Sequence, residues 1–162
     1  MESSQYIGLA IGIGMCLSLF LTEALGVTAG GVIVPGYIAL NLDNYGLTKN
    51  RTHYAYYKNK VCGDKIEIEL NVDKIKINTM RYETESCIYC QASASILSKI
   101  ISSLSIKNLK KDKSLIHKVF HKKNSILPKK YILFKDLVNS KNKNRLECIM
   151  LPFDALIKAL KI

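Results

Sequence analysis

Five cysteines stand in this chain of 162 residues: Cys16, Cys62, Cys87, Cys90 and Cys148. Cys16 sits inside an uncharged apolar run and reads as inert. The other four fall beside turns and at the expected ends of regular elements, where a thiol is more accessible than in a core. Cys62-Gly63-Asp64 directly precedes a strand pattern, and Cys87-Ile88-Tyr89-Cys90 directly precedes a helix pattern. A thiolate at a helix N-terminus is stabilised by the helix dipole, which makes it a better nucleophile and a better metal ligand. Soft thiolates joined by one harder carboxylate suit zinc or iron rather than magnesium. The competing readings of the Cys87-x-x-Cys90 spacing are chance, a structural zinc knot and a thioredoxin-type dithiol. The last leaves Cys148 without a role and belongs to a different strand and helix context.

Elements must hold these thiols in place, and the hydrophobic pattern supplies them. Ile66, Ile68, Leu70 and Val72 alternate with Glu67, Glu69 and Asn71, the period of a half-buried strand. A second strand is expected over 75–82, with Asp73-Lys74 as the tight turn of an antiparallel hairpin. Ile96, Leu97, Ile100, Ile101 and Leu104 recur at helical spacing and predict an amphipathic helix over 91–104. Leu115, Ile116, Val119 and Phe120 predict another, with His117, Lys118, His121 and Lys122 on its opposite face. The pair His117 and His121 has the spacing of a two-ligand site but no third ligand near in sequence, so it reads as a solvated face. Pro152 is expected in the first turn of a last helix over 153–159. The charged run 107–113 reads as a solvated loop. Tyr54, Tyr56 and Tyr57 read as strand packing within a junction, 45–60, of irregular or strand-like structure. The fold class expected is α+β: a small antiparallel sheet with amphipathic helices on one face.

Three blocks together resemble the NifU/IscU/SufU family of iron-sulfur assembly scaffolds: NKVCGDKIEIEL at 59–70, ESCIYCQASASIL at 85–97 and RLECIMLPFDALIKAL at 145–160. The middle block is the most specific. The resemblance, over about 59–162, implies a compact α+β domain with three cysteines and an aspartate converging at one exposed end. By position these are Cys62, Asp64, Cys87 and Cys148, with Cys90 auxiliary. It implies an iron-sulfur cluster, of the 2Fe-2S type, or zinc at that end. Asp64 would be the weak oxygen ligand that keeps a cluster labile enough to hand on. Cys148 and Cys62 would be the sulfur acceptors, a cysteine desulfurase the donor and apo iron-sulfur proteins the recipients. Glu147 stands where many members carry histidine, and the Leu-Pro-Pro-Val-Lys signature is absent. These departures and the long step from Cys87 to Cys148 resemble the SufU-like branch, in which a zinc-held site acts as a sulfurtransferase.

The first 44 residues have another character. All 24 lysines and arginines lie at or after Lys49, and eight of the nine glycines lie before it. The runs 6–21 and 24–42 are apolar, each short against the ~20 residues of a perpendicular membrane helix. Small and glycine residues favour close helix contacts in lipid, so an apolar, membrane-inserted helical segment is expected here. The positive-inside rule then puts Lys49, Arg51 and the basic remainder in the cytoplasm, tethered to the inner face of the membrane through residues 6–42. The string LTEALGVTAGGVIVPGYIALNL at 21–42 resembles the start of CapC (PgsC), a membrane subunit of poly-gamma-glutamate capsule synthesis. That resemblance implies a fragment of such a subunit joined to a second sequence, by fusion, frameshift or a misjoined gene. The chain divides on this reading into an apolar segment at 1–44, the junction at 45–60 and the cysteine-bearing domain at 61–162.

Composition excludes several classes. With 48% hydrophobic and 23% charged residues the chain is not that of a disordered protein, and its length excludes a large multidomain enzyme. The net charge of +11 comes from lysines scattered among isoleucine and asparagine, with no aromatic stacking platform. Nucleic acid is therefore not an expected partner.

Overall fold

The computed structural model describes residues 44–60, 62–121 and 126–162. Three strands, β1 (His53–Lys58), β2 (Lys65–Asp73) and β3 (Lys76–Glu85), form an antiparallel sheet in that order. Three helices, α1 (Ile88–Ile100), α2 (Leu109–His121) and α3 (Leu146–Ala159), follow with short 3-10 turns between them. This is an α+β fold. The alternation of β2 turns Ile66, Ile68 and Leu70 inward, where they meet Met80 and Tyr82 of β3 and the buried side of α3, while α1 packs on β3. Leu97, Ile149, Phe153 and Leu156 close the layer from the helix side. Tyr131, Phe134 and Phe153 form an aromatic cluster beneath α3, with centroids 5.4 to 6.2 Å apart.

Several elements depart from the sequence expectation. The hairpin turn is Lys74-Ile75, not Asp73-Lys74: Asp73 pairs with Lys76 and Lys74 takes a φ of +53°. The run 107–113 is no loop, since α2 begins at Leu109 and buries Leu109 and Asp112 while Lys110 and Lys111 stay exposed. Asp112 accepts from Lys130 and from the Tyr131 hydroxyl, which ties the start of α2 to the following turn. The last helix starts at Leu146, so Pro152 lies inside it instead of opening it. A proline there removes the N–H that would bond the carbonyl of residue 148. Residues 146–151 supply Leu146, Ile149, Met150 and Leu151 to the core, and that burial carries the helix through the missing bond. The stretch read as a junction contributes β1, in which Ala55 and Tyr57 face inward and Tyr54 and Tyr56 face solvent.

The open face of the sheet carries a strap that the periodicity does not announce. Tyr45 pairs in parallel with Tyr82 on the outer edge of β3, fixed by Gly46 N–H to Tyr82 O at 2.9 Å. The chain then crosses β2 and joins β1 on the other edge, where Thr52 N–H bonds Leu70 O. Midway it passes Glu69, only 3% exposed although it lies on the polar side of β2. Glu69 accepts from the Thr48 N–H at 2.8 Å, the Thr48 hydroxyl at 2.6 Å and the Lys49 N–H at 3.0 Å. Arg51 and Arg81 approach the same carboxylate to 4.0 Å. Burial works to raise the pKa of Glu69, and the hydrogen bonds from Thr48 and Lys49 with the Arg51 charge outweigh it, so the net shift is downward.

The apolar runs at 6–21 and 24–42, the CapC-like string and Cys16 lie outside the described residues. Among the described residues no helix is long and apolar enough to cross a membrane.

Candidate metal centre

Four cysteines of the described residues are free thiols, and three of them lie at junctions that converge. Cys62 and Asp64 sit in the turn from β1 to β2. Asn59 organises that turn: its N–H donates to Asp64 O at 2.8 Å, its carbonyl accepts from Gly63 at 3.0 Å, and its side-chain oxygen accepts from Cys62 N–H at 3.4 Å. Gly63 takes a φ of +78°, a conformation that glycine adopts without strain. A Cβ placed on it would meet nothing within 4 Å among the described residues. Cys87 is the N-cap residue of α1, with extended backbone, and Cys148 lies in the first turn of α3.

The sulfurs of Cys62 and Cys148 and a carboxyl oxygen of Asp64 all lie within 4.8 Å of one another. Cys62 is exposed, Asp64 half-buried and Cys148 buried. Cys87 falls outside that mutual distance but borders it: its N–H donates to Asp64 Oδ1 at 3.3 Å, and its thiol is in hydrogen-bonding contact with Cys148. The sequence-derived quartet is thus brought to one place, three of its members tightly and the fourth alongside. Cys90, one helical turn on, is fully buried and faces the Ser86 and Thr84 hydroxyls. His117 and His121 do stack at 4.9 Å, exposed on α2, with no third ligand grouped with them among the described residues.

The electrostatics of this cluster favour a cation. Burial, then the contact with Cys87, then the nearby charges of Cys87, Cys62 and Asp64 push the Cys148 thiol up. Burial likewise pushes Cys90 up to about 12, against the opposing pull of the Ser86 and Thr84 hydroxyls. Nearby negative charge disfavours the Cys148 thiolate, and a metal ion bound there would offset it. Asp64 Oδ2 is buried and has no hydrogen-bond partner among the described residues. Native structures rarely leave a buried carboxyl oxygen unpaired, and an absent ion is one of the recognised reasons. Two or three sulfurs with one oxygen form a donor set that fits zinc or iron.

Sequence reading missed Asn59 and Arg145. The buried Asn59 opens the first cysteine block, and only its place before Cys62 hints at a role. Arg145 stands over the Tyr89 ring at 5.7 Å and joins the starts of α1 and α3 beside the thiols, a pairing no local pattern encodes.

Comparison with known proteins now adds to this geometry. The N-terminal domain of a NifU-like protein from Brucella abortus is similar over 77% of this chain and 88% of its own, with 19% identity and a TM-score of 0.64. A protein of Fervidobacterium islandicum, described as an iron-sulfur cluster assembly scaffold for the SUF system, is similar over 78% of this chain and 93% of its own, with 18% identity and a TM-score of 0.66. Among curated proteins none matches. The family model described as NifU-like N terminal domain matches residues 40–161, about three quarters of the chain, and the chain therefore belongs to that family.

Proposed function

We propose that this protein is an iron-sulfur cluster assembly scaffold that receives sulfur from a cysteine desulfurase and passes clusters to apo-proteins. The observation that carries the reading is the unpaired, buried Asp64 Oδ2 set among the sulfurs of Cys62 and Cys148, with Cys87 adjoining. Iron and sulfur are the cargo, held by Cys62, Asp64, Cys87 and Cys148. Oxygen from a carboxylate binds iron more weakly than thiolate does, which keeps the cargo exchangeable. Sulfane sulfur moves when an acceptor thiolate attacks the outer sulfur of a desulfurase persulfide, forming a new persulfide and releasing the desulfurase thiolate. Cys62 is the exposed acceptor, and Cys148 lies behind it. Anaerobic reconstitution of the full chain with ferrous iron, sulfide and thiol tests this: visible absorbance characteristic of a cluster is expected, and its absence from wild-type protein refutes the reading.

A second reading, a zinc-bound sulfurtransferase of the same fold, is favoured by the compactness of the site, since one four-coordinate zinc is satisfied by three sulfurs and one oxygen. Metal analysis after aerobic purification separates the two, because zinc is colourless and survives air. Tethering to the cytoplasmic face of the membrane through residues 6–42, with the CapC-like string as anchor, is part of the same proposal. Salt-resistant recovery with membranes tests it, and quantitative recovery in the soluble fraction refutes it.

A further inference from the structure

Cys90 takes no part in the cluster of Cys62, Asp64 and Cys148, yet it lies one turn from Cys87 at the start of α1. The N–H groups of Cys90 and Gln91 donate to the Cys87 carbonyl at 3.0 and 3.1 Å, so the two cysteines belong to one closed helical turn. Residues three apart in that geometry have Cα atoms about 5 Å apart on the same helix face. Disulfides form over Cα separations of about 4.4 to 6.8 Å. The half-buried Cys87 and the fully buried Cys90 are also graded as a dithiol pair needs, one sulfur reachable and the other shielded. β3 ends at Glu85, two residues before the pair, which makes this a strand-to-helix junction.

We propose that Cys87 and Cys90 form a dithiol–disulfide site whose substrate is a low-molecular-weight disulfide such as oxidised glutathione. Cys87 thiolate attacks one sulfur of the small disulfide, forming a mixed disulfide and releasing one small thiolate. Cys90 thiolate then attacks the Cys87 sulfur, closing the Cys87–Cys90 bond and releasing the second. Two protein thiols are oxidised, one disulfide is reduced to two thiols, and the two protons end on the released thiols. Pairing within one turn requires no movement between elements. The competing pairs, Cys62 with Cys148 and Cys87 with Cys148, also have their sulfurs close, but each bond would tie two different elements together. Closure removes Cys87 from the metal centre, a consequence that rests on the proposed function; the bond itself does not.

The test uses the full chain, stripped with chelator and treated with oxidised glutathione. No lysine or arginine lies between Arg81 and Lys99, so trypsin releases both cysteines on one peptide, 82–99. That peptide is expected lighter by two hydrogens and closed to alkylation, with Zn²⁺ uptake lost and restored by reductant. Cys90→Ser should instead retain a glutathione on Cys87. Both thiols of 82–99 remaining open to alkylation, or a bridge from either to Cys62 or Cys148, would overturn the proposal. If the bond closes while the reduced chain takes up no Zn²⁺, the dithiol site stands and the metal-centre reading fails.

Discussion

Replacing Asp64 by alanine separates a ligand from a structural carboxyl, because the two roles predict opposite signs. In metal-free protein the variant loses one long hydrogen bond, Cys87 N–H to Oδ1 at 3.3 Å, worth about 0.5 to 1.5 kcal/mol. It also relieves the buried, unpaired Oδ2, whose desolvation costs about 1 to 3 kcal/mol. The metal-free variant should therefore be as stable as the parent or more so, by about 0 to 2 kcal/mol. At about 2 to 4 °C per kcal/mol for a chain of this size, its Tm rises by up to about 8 °C. With zinc the order reverses. A parent saturated at a hundredfold over its Kd gains about 2.7 kcal/mol, whereas a variant binding a hundredfold more weakly gains only about 0.4 kcal/mol at the same zinc. Thermal melts followed by circular dichroism, in chelator and in zinc, read both signs. A metal-free Asp64→Ala protein melting well below the parent would refute the ligand role and make Asp64 a member of the folded loop.

Other outcomes follow from the same geometry. Cys148→Ser and Cys62→Ser should each lower bound metal per chain, and the loss should be larger for the buried Cys148, as elemental analysis of purified protein would show. Glu69→Ala should cost about 2 to 4 kcal/mol in denaturant unfolding, since three hydrogen bonds to a charged group are lost and the freed strap donors regain water in part. Its folded pKa is lowered, so its contribution is complete above the unfolded value near 4.5 and fades as pH falls below that through the folded value. The parent should accordingly lose stability on acidification below pH 4.5 more steeply than Glu69→Ala; parallel curves would show that the carboxylate is not the anchor. Phe153→Ala, at the junction of the aromatic cluster and α3, should cost about 3 to 5 kcal/mol by chemical unfolding.

What the sequence disclosed was what local order encodes. The alternation from Ile66 to Val72 placed β2 and the inward Ile66, Ile68 and Leu70, because a strand with one buried face must alternate. The helical stripe through Ile96, Leu97 and Ile100 placed α1, although the helix runs over Ile88–Ile100 instead of 91–104, starting in the cysteine block itself and giving way to a 3-10 turn at Ile101. Features set by distant partners stayed hidden. Glu69 looked like any outward acid, since only a strap some twenty residues earlier makes it a buried anchor. Pro152 read as a helix start because its missing N–H is costless there; the burial of Leu146, Ile149 and Leu151 overrides that preference. The charge run 107–113 read as a loop since its lysines conceal the two buried positions, Leu109 and Asp112. The thiols beside element ends were legible in the sequence, and the resemblance singled out Cys62, Asp64, Cys87 and Cys148 among them, whereas their unequal closeness, with Cys87 to one side, depends on how two helix starts meet one turn.

The open space above Gly63 bears on how the centre is reached. Among the described residues nothing stands within 4 Å of where a side chain would begin at Gly63, and Cys62 beside it is exposed while Cys148 is buried. On the proposed function, a partner coming over Gly63 would meet the Cys62 sulfur first and the Cys148 sulfur last, so the buried cysteine would be the later of the two to let go of any bound cargo.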